Sequence, residues 1–133
     1  MAKLLGVPVI AIPSVWPDIE PMIQGWLDKS KEHRWEASDI LSMLNDNELQ
    51  LWVIHDDAAP TTAVLTQILN YPRCRECNIF MVSGELTDDW REHCDSLVTW
   101  AELQGCHFVS AMARKGFAKA MGWDERQTYI VRK

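Results

Sequence analysis

The sequence predicts a single α/β (α+β) domain with a mixed, mostly antiparallel central sheet flanked by helices. Three observations carry this. Three β-rich runs follow one another between residues 49 and 83 with only short connections, so they pair as an antiparallel meander. An amphipathic run of helical period precedes them and a longer one follows. The length of 133 residues fits one hydrophobic core, with no Gly/Ser-rich or Pro-rich linker to divide it. The predicted order is β-α-α-β-β-β-α-β-α-β over residues 1–133.

Residues 6–12, GVPVIAI, read as a first strand, and Pro8 confines it to a sheet edge or a strand start. Ser14 offers an N-cap and Pro17 suits a first helical turn. Trp16, Ile19, Ile23, Trp26 and Leu27 then recur at helical spacing, giving a helix that ends near Asp28. The polar run 29–36 reads as a loop and makes Trp35 the tryptophan expected at the surface. Ser38 caps a second, shorter helix striped by Ile40, Leu41 and Leu44, which stops at the turn-prone residues 45–47.

The meander is expected at 49–55, 61–71 and 74–83, with a turn at 56–60 and a break at Pro72. The clearest helix spans 87–104, with Trp90, Cys94, Leu97, Val98 and Ala101 on one face. Asp88, Asp89 and Glu92 favour the positive end of its dipole, and Gly105 takes the C-terminal cap. A strand at 106–112, a short helix at 116–121 and a strand at 127–131 complete the order.

Composition narrows the function classes. The formal net charge of −6 disfavours nucleic acid as a partner. Residues 113–133 nevertheless carry net +4 against −10 for the rest, leaving a basic C-terminal patch. Residues 1–13 do not read as a signal peptide, and no stretch approaches the roughly 20 apolar residues of a membrane span. A cytosolic setting follows, in which the four cysteines are free thiols. Cys74-Arg75-Glu76-Cys77 has CxxC spacing, but on a strand a separation of three puts the two thiols on opposite faces, against a zinc pair. The four histidines are dispersed, and no spacing pairs one with a serine or cysteine nucleophile.

The succession of elements resembles the GNAT N-acetyltransferase superfamily over nearly the whole chain. Locally, Lys115-Gly116-Phe117, Met121-Gly122-Trp123 and the strand at 129–133 resemble the closing segment of that fold. The chain is also similar to small GNAT-like proteins of tailed bacteriophages in Gln50-Leu51-Trp52-Val53, Tyr71-Pro72-Arg73, Trp100-Ala101 with Gly105-Cys106, and residues 114–123.

The resemblance implies a loop between the fourth strand and the third helix that binds the pyrophosphate of acyl-CoA through backbone N–H groups and arginines. Here that loop is Ser83-Gly84-Glu85-Leu86-Thr87-Asp88-Asp89, with one glycine, no arginine and three carboxylates. Like charges that close disfavour bound phosphate; the acids suit helix capping instead. The tyrosine that many GNAT enzymes use as general acid has no counterpart at 116–121, where Phe117 stands. The resemblance therefore implies a non-catalytic module with no cofactor, binding a protein partner, phage structural proteins or itself, in the host cytoplasm or the virion. The alternative is a divergent acetyl-CoA-dependent N-acetyltransferase. That reading takes Glu76 or Glu85 as general base and Ser83, Gly84, Arg114, Lys115 and Lys119 as cofactor contacts.

Overall fold

The period-2 alternation of the central runs is realised as a five-stranded sheet ordered β1-β2-β3-β4-β5. The structure is a computed structural model and describes residues 3–30, 34–56, 59–84, 90–111 and 122–123. Its strands are β1 (Leu4–Val7), β2 (Gln50–Asp56), β3 (Ala59–Asn70), β4 (Arg75–Gly84) and β5 (Phe108–Ala111). The first four pair antiparallel and β5 joins β4 in parallel. Helix α1 (Ile12–Ser30) and helix α2 (Ala37–Asn45) lie between β1 and β2, and helix α3 (Trp90–Leu103) lies between β4 and β5. The helix expected at 116–121 and the strand at 127–131 lie outside the described residues, as do positions 87–89 of the third predicted helix.

The sheet divides the core in two. On one face Leu51, Val53, Ala63, Leu65 and Met81 pack against Ile19, Ile23 and Leu27 of α1 and Ile40 and Leu44 of α2. On the other, Ile54, Val64 and Ile79 pack against Trp90, Cys94 and Leu97 of α3. Each fully buried aliphatic side chain contributes about 1.5–3 kcal/mol of transfer free energy. These two faces therefore supply the main favourable term.

Five local expectations are corrected. The first strand ends at Val7 rather than residue 12, because Pro8 stops the ladder and Val9–Ala11 wind into a 3-10 turn. That turn runs directly into α1 at Ile12, so Ser14 stands inside the helix rather than at its cap. Pro17 and Pro21 are likewise interior, and with Pro13 they form an exposed row at four-residue spacing. The cap of α2 is Glu36, not Ser38: Glu36 and Asp39 form a reciprocal capping box. Trp35 is half-buried, its ring edge-on to Phe80 at 5.4 Å between centroids, with Trp26 on the same phenyl ring at 5.7 Å.

That aromatic cluster follows from a bulge. Leu65 pairs Met81 while Thr66 pairs Ile79, which leaves Phe80 as an extra residue on β4. Phe80 and Met81 consequently both face α1 and α2, and the alternation of β4 changes parity there. Among the described residues, no helix is long and apolar enough to cross a membrane.

β4 ends on Gly84, whose φ of 109° is strained for any L side chain, and a Cβ built there would lie 2.2 Å from the Thr61 carbonyl oxygen. Gly84→Ala is expected to lower stability by about 2–3 kcal/mol in urea denaturation. A loss below about 0.5 kcal/mol would show that β3 and β4 separate freely at this end.

Candidate functional site

The parity change places a polar set on one face of the sheet. Cys77 and Ile79 pack toward α3, so Glu76 and Asn78 project to the face that carries α1 and α2. On β5, Val109 and Ala111 pack with the α3 cluster, so Ser110 projects with them. The parallel register sets Glu76 opposite Phe108 and Asn78 opposite Ser110.

These residues form one hydrogen-bonded chain. Asn78 Nδ2 donates to Ser110 Oγ at 3.0 Å, and Ser110 Oγ donates to Glu76 Oε2 at 2.6 Å. Both distances are ordinary hydrogen-bond lengths. Ser110 has only one proton to give, so the chain has a fixed direction: the amide fixes the hydroxyl, and the hydroxyl fixes the carboxylate. A carboxylate offers about four acceptor positions, so Glu76 retains capacity for an ammonium or a water. All three side chains are half-buried.

Other residues named from the sequence are placed differently. Ser83 Oγ donates to the Met22 carbonyl oxygen at 2.9 Å, tying the end of β4 to α1. Gly84 is the close approach to Thr61 described above. At about 3.3 Å per residue, Ser83 lies roughly 23 Å along β4 from Glu76. Glu85, Arg114, Lys115 and Lys119 lie outside the described residues.

The sequence did not single out Ser110 or Asn78. Ser110 is 34 residues from Glu76 and meets it only through the parallel β4–β5 pairing. An Asn two residues after a Glu on a strand does signal a shared face, and that was the one available cue.

The cysteines do not assemble a metal site: among the described residues no group of three His, Cys, Asp or Glu could hold an ion. Cys74 precedes β4, whereas Cys77 is fully buried beside Ala101 and Cys106. Burial foremost, then the neighbouring Cys106 and Glu76, pushes the Cys77 thiol up to about 12. Burial, with Asp95, pushes Cys94 up to about 12 as well. Both are core thiols, not nucleophiles. His107 Nδ1 accepts from the Arg75 backbone N–H at 3.0 Å and so helps seat the start of β5 against β4.

No protein-family model and no curated protein matches the sequence. Solved structures do match the fold. A predicted acetyltransferase of Clostridium acetobutylicum, solved with acetyl-CoA, superposes with a TM-score of 0.71 at 14% identity, covering 100% of this chain and 96% of that one. A ribosomal-protein-alanine N-acetyltransferase of Brucella melitensis gives 0.71 at 12% identity, covering 100% and 99%. A GCN5-related N-acetyltransferase of Ralstonia eutropha gives 0.66 at 16% identity, again covering 100% and 99%.

The raised thiols generate a prediction. Their ordinary value is 9.0, so at pH 8 the native thiolate fraction at Cys77 and Cys94 is lower by about 1,000-fold than in the unfolded chain. Iodoacetamide at pH 8 is expected to modify half-exposed Cys74 in the native protein and to reach Cys77 and Cys94 only with denaturant, as read by mass spectrometry of peptides. The unfolded chain loses these protons first, so stability should fall as pH rises above about 9 toward 12. The shared architecture, together with the mixed sheet and its β4–β5 parallel pair, establishes that this chain has a GNAT-like fold.

Proposed function

We propose that this chain is an acyl-CoA-dependent N-acyltransferase that uses Glu76 as its base. The observation that carries the reading is the Asn78–Ser110–Glu76 chain at the β4–β5 pair of a fold whose solved neighbours are mostly acetyltransferases. An amine is protonated at neutral pH and attacks a thioester only as the free base, so the reaction needs a proton acceptor beside it. A half-buried carboxylate held by Ser110 meets that need, directly or through one water.

The residues fit the acyl end of the cosubstrate better than its phosphates. Phe80 has no partner residue in the β3 ladder, and we assign its backbone N–H as a donor to the acyl group. Such a donor serves the thioester carbonyl oxygen as negative charge develops. Acyl-CoA supplies the activated carbonyl; the protein's part is to orient it, take the amine proton at Glu76 and stabilise that oxygen.

For the phosphates, Ser83 is engaged with Met22 O and the following residues include Glu85, Asp88 and Asp89. Arg114, Lys115 and Lys119 are the cations we assign to them, since the usual loop has none.

The same acidic segment favours a second reading, a phage-type GNAT-like module in the host cytoplasm or virion that binds a protein partner and no CoA. Calorimetric titration with acetyl-CoA at low and physiological salt separates the two. Micromolar binding that weakens with salt is expected from the enzyme; no heat at millimolar ligand would support the module. Glu76→Gln is expected to leave acetyl-CoA affinity within about twofold and to lower turnover of an amine acceptor by about 100-fold. Unchanged turnover would remove Glu76 from the mechanism.

A further inference from the structure

At the end of β4 where Glu76 lies, the α3 side of the sheet holds a cavity that the acyl-transfer reading does not use. It measures about 610 Å³ and opens where β2 begins, β3 ends and β4 begins, against the C-terminal end of α3. That is within the 300–1,000 Å³ typical of small-molecule sites. Its β4 wall is Arg75, the neighbour of Glu76 in sequence but on the other face of the strand, so a ligand there does not occupy the face that carries Glu76.

Its lining has an unusual chemistry. Five carboxamides meet there: Asn47, Gln50, Gln67, Asn70 and Gln104. Each can donate two hydrogen bonds and accept others without carrying charge. The charged lining residues are Glu48 and Arg75, one of each sign, so the wall is formally neutral. The Nε–H of Arg75 is buried with no hydrogen-bond partner, which leaves donor capacity unmet at the wall. Trp100 adds an indole, held edge-to-face against Trp52 with 4.9 Å between centroids.

One wall is oriented in advance. Trp52 Nε1 donates to Thr66 Oγ1 at 3.0 Å, and Thr66 Oγ1 donates to Gln50 Oε1 at 2.9 Å. Thr66 is fully buried, so its proton has a fixed direction. The relay occupies the oxygen of Gln50 and leaves its NH2 group as the donor at the cavity.

We propose that this cavity binds a neutral polyhydroxylated ligand, a short oligosaccharide. Hydroxyls both donate and accept, which matches a wall rich in both functions and without net charge. A dianion would find one guanidinium opposed by Glu48, and an apolar ligand would strand five amides. The apolar C–H face of a sugar ring suits Trp100.

The test is titration of the full chain with maltose, followed by amide and indole NMR signals, with inorganic sulfate in a parallel titration. Saturable shifts at the Trp100 indole and the Gln50 and Gln67 side-chain amides are expected with maltose and not with sulfate. Gln50→Leu and the surface variant Gln104→Ala should each weaken maltose binding by about tenfold, the loss of one or two hydrogen bonds. Gln24→Leu on α1, outside the cavity lining, should leave it unchanged. Gln104→Ala keeps the test valid if Gln50→Leu disturbs the Thr66 relay. Shifts with sulfate alone, equal effects of all three variants, or no shift with up to 50 mM maltose, a deliberately high ceiling of about 2 kcal/mol in affinity, would each overturn the proposal.

Discussion

One extra residue on β4 governs the arrangement of this molecule. Without Phe80 as a bulge, strict alternation would put either Met81 and Ser83, or Glu76 and Asn78, on the α3 side. With it, the outer half of β4 docks Met81 under α1 and joins Ser83 to Met22 O, while the inner half presents Glu76 and Asn78 on the same face. The structural seam and the polar chain thus share one surface of one strand. The bulge is also where Trp26 and Trp35 converge, because Phe80 offers them a ring beside Met81.

The two faces of the sheet carry different kinds of order. The α1/α2 side is sealed by aliphatic packing and ends in hydrogen-bonded polar residues at the β4–β5 pair. On the α3 side, aliphatic packing gives way to buried thiols and then to the Trp52–Thr66–Gln50 relay. Within that relay each polar group is oriented by its neighbour, which is the condition for a polar surface to select among ligands instead of rearranging around them.

The meander and α3 were legible because their signals are local: β-branched alternation in 61–71 and an apolar stripe through Cys94, Leu97 and Ala101. The start of the chain was misread because the apolar run 6–12 reads as a strand through Pro8 and Pro17 as a first-turn residue, whereas α1 begins at Ile12 and holds Pro17 and Pro21 in its interior, with Ile19, Ile23 and Leu27 packed in the core. Trp35 was placed at the surface by its polar neighbours; its edge-on contact with Phe80 depends on a bulge that no local pattern announces. Glu76 was legible as a carboxylate on a strand. Its partner Ser110 was not, since a parallel pair is separated by an entire helix.

The proline row on α1 bears on how the chain reaches this structure. Each interior proline removes an N–H, crowds the carbonyl four residues back and disfavours helical φ/ψ in the residue before it. Together Pro17 and Pro21 weigh about 6 kcal/mol against the isolated helix relative to alanine. Helix α1, disfavoured on its own, leaves the ribosome before β2, β3, β4 and β5. What holds it helical in the finished structure is a sheet whose strands are nearly all synthesised after it.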